Sequence, residues 1–131
     1  MKILVAYTGG TKLDKAVLAL AKKHAKAFNG KIYIAHSMES LSEKEIDELD
    51  KIKSDLDHLK MSIEKEGIPC ETHVLIRGVT PGADLVDYAS DEKIDEIIIG
   101  LEKKSRVGKL FFGSNAQYII LEADCPVVSM K

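Results

Sequence analysis

Residues 2–10, Lys2-Ile3-Leu4-Val5-Ala6-Tyr7-Thr8-Gly9-Gly10, carry four apolar side chains without a break and then a glycine turn. A strand with one wet face alternates apolar and polar residues, whereas an unbroken apolar run suits a strand covered on both faces. Ile97-Ile98-Ile99, bounded by Asp95-Glu96 and Gly100, is a second segment of this kind. These two are expected at the centre of a sheet. Lys31–His36 (KIYIAH) and Glu71–Ile76 (ETHVLI) mix polar with apolar residues and are expected nearer its flank or edge. Pro126-Val127-Val128-Ser129-Met130 supplies a short fifth strand.

The intervening segments change period. From Leu13 to Phe28, the positions Leu13, Ala16, Val17, Leu20, Ala21, His24, Ala25 and Phe28 follow the three-and-four spacing of one buried helix face, and Gly30 follows as a stop. Ile46, Leu49, Ile52, Leu56, Leu59 and Ile63 form a stripe on a second helix over 43–66, opened by Ser42 with Glu45 three residues on, the spacing of a capping box. A third helix starts at Thr80-Pro81, proline suiting the first helical position, and a fourth runs from Ser114 to Ala123.

The alternation gives the order β-α-β-α-β-α-β-α-β and an α/β class. Right-handed crossovers, with the two most apolar strands innermost, predict one doubly wound five-stranded parallel sheet of order 3-2-1-4-5 with four helices, all within one domain spanning 1–131. The 131 residues, 45% hydrophobic and formally −2 in charge, fit one core-bearing domain and exclude disorder as the default. Nineteen basic and 21 acidic side chains are interspersed, which disfavours bulk nucleic-acid binding; only 103–109 is locally basic. No apolar stretch is long enough for a membrane span, and no small-residue cleavage site follows the first strand, so a cytoplasmic location is expected. Cys70 and Cys125 show neither a CxxC pair nor zinc-ligand spacing and read as buried thiols.

A sheet of this order has a switch point between its first and fourth strands, where ligands bind by default. The mouth there is formed by Thr8-Gly9-Gly10-Thr11 and by the long segment from Gly100 to Gly113. Gly113 permits close approach of a ligand, and the amides of Ser114, Asn115 and Ala116 begin the fourth helix at the positive end of its dipole. Lys103, Lys104, Arg106 and Lys109 add positive charge, so a phosphorylated ligand is favoured. A plain serine N-cap after a turn glycine explains the same residues without a ligand.

Standard phosphate loops are absent. Gly108 to Ser114 has the glycine spacing of a Walker loop but lacks its lysine, and no GxGxxG occurs. A receiver domain would need acidic residues where Tyr7-Thr8 stand. The glycine turn has some likeness to the flavodoxin loop, but the chain has no Trp and places only Phe111-Phe112 in a mouth segment, where they are expected to pack under the fourth helix. The SGGxDS loop of ATP pyrophosphatases would need Asp-Ser where Lys12-Leu13 stand.

Taken together, KILVAYTGG, the segment RGVTPGADLVDYAS, the Gly100-to-Gly113-Ser114 interval after IIIG, and the closing GKLFFGSNAQYIILEADCPVVSM resemble the universal stress protein family over essentially the whole chain. The resemblance implies an adenine nucleotide α-hydrolase-like fold and an adenine nucleotide, ATP or a relative with or without Mg, as ligand. It places Ala6 and Thr8 beside base and ribose, the Ser37 backbone at the adenine, and Gly100, Lys103, Gly113, Ser114 and Asn115 around ribose and phosphates. Two positions depart from the family pattern. Thr8 stands in place of the strand-end aspartate and Lys103 in place of the second loop glycine. Weakened or altered nucleotide binding is therefore expected, since threonine keeps a hydroxyl without the charge and lysine lacks the backbone freedom of glycine.

Hydrolysis would need a water-orienting base beside a metal-held phosphate. Glu102 is the only carboxylate of that segment and reads as solvent-facing; His24, His36, His58 and His73 read as structural. A binding module that senses or stores a nucleotide in a stress response is thus expected, with at most slow ATP hydrolysis. The alternative is a dimeric interaction protein in which Thr8 and Lys103 have removed nucleotide affinity. Either would form a homodimer through the terminal edge strand, Pro126 to Met130, and the family often dimerises in this way.

Overall fold

The structure is a computed structural model that describes residues 1–102 and 113–131. In chain order it contains β1 (Lys2–Ala6), α1 (Lys12–Phe28), β2 (Lys31–Ser37), α2 (Glu43–Lys65), β3 (Cys70–Leu75), α3 (Pro81–Asp91), β4 (Glu96–Gly100), α4 (Ser114–Glu122) and β5 (Val127–Met130). The strands form one parallel sheet in the order β3-β2-β1-β4-β5, as the apolar pattern predicts. In register, Val5 faces Ile34 on one side and Ile98 on the other, so β1 is the central strand, and the mixed strand β2 lies as far inside the sheet as the apolar β4.

Both faces of β1 are covered. Ile3, Val5 and Tyr7 belong to a core shared with Val17, Ala21, Ile52, Leu56 and Ile63 of α1 and α2. Leu4 and Ala6 belong to a second core with Leu85, Val86, Ala89 and Ile119 of α3 and α4. Each large aliphatic side chain so buried is worth roughly 1.5–3 kcal/mol, which explains why a polar residue in either central strand would not be tolerated cheaply.

Local chemistry sets the helix ends. The Thr11 and Ser42 side chains each accept from the backbone amide three residues on, and Asp14 and Glu45 reach back to complete two capping boxes. Pro81 sits in the first turn of α3 with Thr80 as N-cap. At the end of α1 the left-handed residue is Asn29 (φ 51°) rather than Gly30, whose own constraint is space: a Cβ there would lie 3.0 Å from the Met1 carbonyl. Two positions leave the expected buried stripes. Phe28 is 61% exposed and stands edge-on to His24, and Ile46 is 52% exposed; the first ends α1 and the second lies in the first turn of α2.

Cys70 is buried, and desolvation pushes its thiol up to about 11; Cys125 is half-buried and raised for the same reason. Both are thus poor thiolates. No helix among the described residues is long and apolar enough to cross a membrane.

Candidate functional site

The carboxyl ends of β1 and β4 diverge as the topology requires, and a cavity of about 440 Å³ opens between them. Ala6, Thr8, Ser37, Gly100, Gly113 and Asn115 all line it. Six of the eight residues expected there from sequence therefore meet at one cleft. Ser114 is exposed and is not part of this wall, and Lys103 lies outside the described residues. Tyr7, Thr11, Leu13, Asp14 and His36 complete the side formed by β1, β2 and α1.

The β1–α1 turn is organised by one carboxylate. Asp14 is 3% exposed and accepts from the amides of Gly10 (2.8 Å) and Thr11 (3.1 Å), from the Thr8 amide (3.1 Å) and from the Thr8 hydroxyl (2.9 Å). Four donors match the roughly four lone-pair sites of a carboxylate, so the group is fully occupied within the turn. Gly9 and Gly10, at φ 121° and 95°, provide the backbone path that aims those amides inward. Thr8, which by resemblance stands where the family has an aspartate, thus donates its hydroxyl to an acid six residues on. In the sequence, the one signal for Asp14 is the spacing Thr11-x-x-Asp14 before an apolar stripe, that of a capping box.

Tyr7 packs beneath the turn, and burial, followed by the nearby Asp55 and Asp14 charges, raises its phenol above the ordinary value. Beside it, the His36 Nδ1–H donates to the Tyr7 carbonyl at 2.8 Å, and the two rings meet edge-on. The other histidines lie away from this wall: His24 bonds Glu96 at 2.6 Å and His73 bonds Glu71 at 3.1 Å. Glu102 is exposed at the rim, and no group of three metal-ligating side chains occurs among the described residues.

The two glycines of the opposite wall differ in cause. A Cβ at Gly100 would fall 2.5 Å from Leu13 Cγ, so this glycine is required by the close approach of α1 to the end of β4. Among the described residues, a Cβ at Gly113 would meet nothing within 4 Å. Gly113 is the N-cap of α4, and among the described residues no side chain caps that end; Ser114 is the first helical residue rather than the cap. The first amides of a helix have no intrahelical acceptor, so this terminus lies at the cleft with its donors uncapped by any side chain among the described residues. Asn115 is held instead by α3, its Oδ1 accepting from the Gly82 amide at 2.9 Å.

Ser37, at the end of β2, donates its hydroxyl to Asp84 Oδ2 at 2.8 Å. Asp84 is completely buried in the first turn of α3, and Arg77 pairs with its other oxygen. Neither Asp84 nor Arg77 was singled out from sequence; a helix-face charge reads as solvated until the fold turns it inward.

The whole chain, residues 1–131, matches the universal stress protein family. A universal stress protein of Thermus aquaticus is 27% identical over 141 residues, which span 98% of this chain and 97% of that protein. A universal stress protein structure from Archaeoglobus fulgidus is 33% identical and superposes with a TM-score of 0.86, covering 100% of this chain and 93% of that one. One from the same organism in complex with dAMP is 31% identical with a TM-score of 0.82, covering 100% of this chain and 98% of the other. Sequence match and superposition thus agree along the full length, and the chain belongs to the universal stress protein family.

Proposed function

We propose that the chain binds an adenine nucleotide in the switch-point cleft and acts in the cytoplasm as a sensing or regulatory module of a stress response. Base and ribose lie against Ala6, Thr8 and the end of β2, and the phosphates lie toward Gly113, Ser114 and the other first residues of α4, with Gly100 on the same side; Lys103, the remaining expected phosphate contact, lies outside the described residues. The observation that carries this reading is the N-terminus of α4 at the cleft, which among the described residues has no capping side chain and open space at Gly113. The A. fulgidus complex with dAMP, at 31% identity, supports the same ligand class. ATP, alone or with Mg, is the finer expectation.

Calorimetric titration with AMP, dAMP, ATP and ATP plus Mg tests it. Saturable heat with at least one of them is expected, with a matching rise in melting temperature, since a ligand bound only by the folded form stabilises it by about 2.7 kcal/mol at a hundredfold excess over Kd. Flat titrations with all four would overturn it.

A second reading is a dimeric interaction protein without nucleotide. It is favoured by the internal use of the Thr8 hydroxyl by Asp14 and of the Asn115 Oδ1 by Gly82. The dimer, in either reading, forms through β5, which pairs with β4 on one side only. Light scattering that finds a dimer beside flat titrations would select this second reading.

A further inference from the structure

The hydroxyl of Ser37 has one hydrogen, and the structure fixes where it goes. Asp84 is completely buried; Arg77 Nε pairs with its Oδ1, and Arg77 Nη2 donates to its backbone carbonyl at 3.1 Å. The first turn of α3 adds the positive end of a helix dipole. A carboxylate paired in this way only accepts, so the 2.8 Å contact from Ser37 Oγ to Oδ2 is a donation by serine. What Ser37 Oγ retains is lone pairs, at a residue that lines the cleft.

From this we infer that Asp84 is a positioning residue for base selection. It holds the Ser37 hydroxyl as an obligate acceptor, which suits a base edge that presents an amino group and opposes one that presents a carbonyl. The cleft therefore discriminates 6-amino from 6-oxo purines. The inference rests on the proposed placement of the base at the end of β2. Its physical basis is that a fixed acceptor facing an oxygen leaves two lone pairs opposed and no bond made, which a site built around a hydrogen bond cannot relieve without moving the partner. The partner here is anchored from α3 and from the segment carrying Arg77, so it cannot turn away freely.

The test uses AMP and inosine 5′-monophosphate, which differ at that position, titrated calorimetrically into the full chain and two variants. The unsubstituted protein is expected to prefer AMP by roughly tenfold or more, the value of one well-placed hydrogen bond. Ser37→Ala removes the hydroxyl acceptor and keeps the backbone, and should cut the preference severalfold, leaving only the part that the retained Ser37 backbone contributes. In Asp84→Asn, Arg77 Nε still needs an acceptor, so the amide oxygen turns to it and the amide NH2 turns to Ser37 Oγ. The hydroxyl hydrogen is then released toward the cleft, and the preference should shift toward the 6-oxo nucleotide. A purely structural role for Asp84 would lower both affinities without moving their ratio. Equal affinities in the unsubstituted protein, or an unchanged preference in Ser37→Ala, would overturn the inference while leaving nucleotide binding in place. Should Asp84→Asn fail to fold, the partly exposed Ser37→Ala decides alone. If neither nucleotide binds, the proposed function falls and this inference with it.

Discussion

Asp14 and Asp84 are both buried carboxylates beside one cleft, yet they are satisfied in opposite ways. Asp14 takes all four of its donors from Thr8, Gly10 and Thr11, within six residues of itself. Asp84 takes a hydroxyl from β2, 47 residues away, and a guanidinium from Arg77. The first closes a turn and the second ties separate elements together. A local carboxylate can be lost while its donors turn to water, because Thr8, Gly10 and Thr11 are exposed. A long-range one, when lost, unties β2 and the segment carrying Arg77 from α3, even though the 41% exposed Arg77 can itself rehydrate.

The largest expected effect follows directly. Asp84→Ala should destabilise the fold by about 2–4 kcal/mol in urea unfolding, less than for a fully buried ion pair because Arg77 is 41% exposed and can turn to water. Asp14→Ala should lose about 2 kcal/mol, a cap plus hydrogen bonds whose donors rehydrate, and should speed hydrogen exchange at the Thr8 and Gly10 amides selectively. Equal losses in the two variants would break the distinction between local and long-range acids. Gly100→Ala presses on Leu13, the neighbour of Asp14, and should cost roughly 1–2 kcal/mol by overpacking; adding Leu13→Ala should recover part of it if the 2.5 Å clash is the cause.

The smallest effect provides the control from the surface. Glu71 is 41% exposed, and its hydrogen bond from Lys31, reinforced by His73, holds its carboxyl below the ordinary 4.5. A depressed carboxylate stabilises the fold fully above its unfolded pKa, and that contribution is lost as pH falls below about 4.5 through the folded value. Solvent screening keeps the gain under ~1 kcal/mol. Lys31→Met should accordingly flatten the acid limb of the stability profile only slightly, and a larger change would mean that surface acids matter as much as the two buried ones.

The fold was legible because its determinants are periodic. Val5 and Ile98 sit in unbroken apolar runs, the stripe from Val17 to Ala25 has helical spacing, and Ser42 with Glu45 announces a helix start. The cleft was legible as a place, since strand order alone locates it. Its polar wiring was not. Asp84 lies between Ala83 and Leu85 in a segment whose apolar residues point the same way, and only the approach of β2 and Arg77 makes it a buried acceptor. Phe28 and Ile46 fail for the complementary reason: periodicity continues to the helix ends, where both side chains are exposed. The expected packing of Phe111-Phe112 and the role of Lys103 lie outside the described residues.

Gly100 and Gly113 occupy matching places in the family pattern, but only one of them speaks about a guest. Any residue larger than glycine at 100 would collide with Leu13 in a protein that never met a nucleotide. Retention of glycine there in a homologue is therefore mute on ligand binding, whereas a bulky side chain at 113, which would strike nothing in the protein's own described structure, would be the informative change to look for.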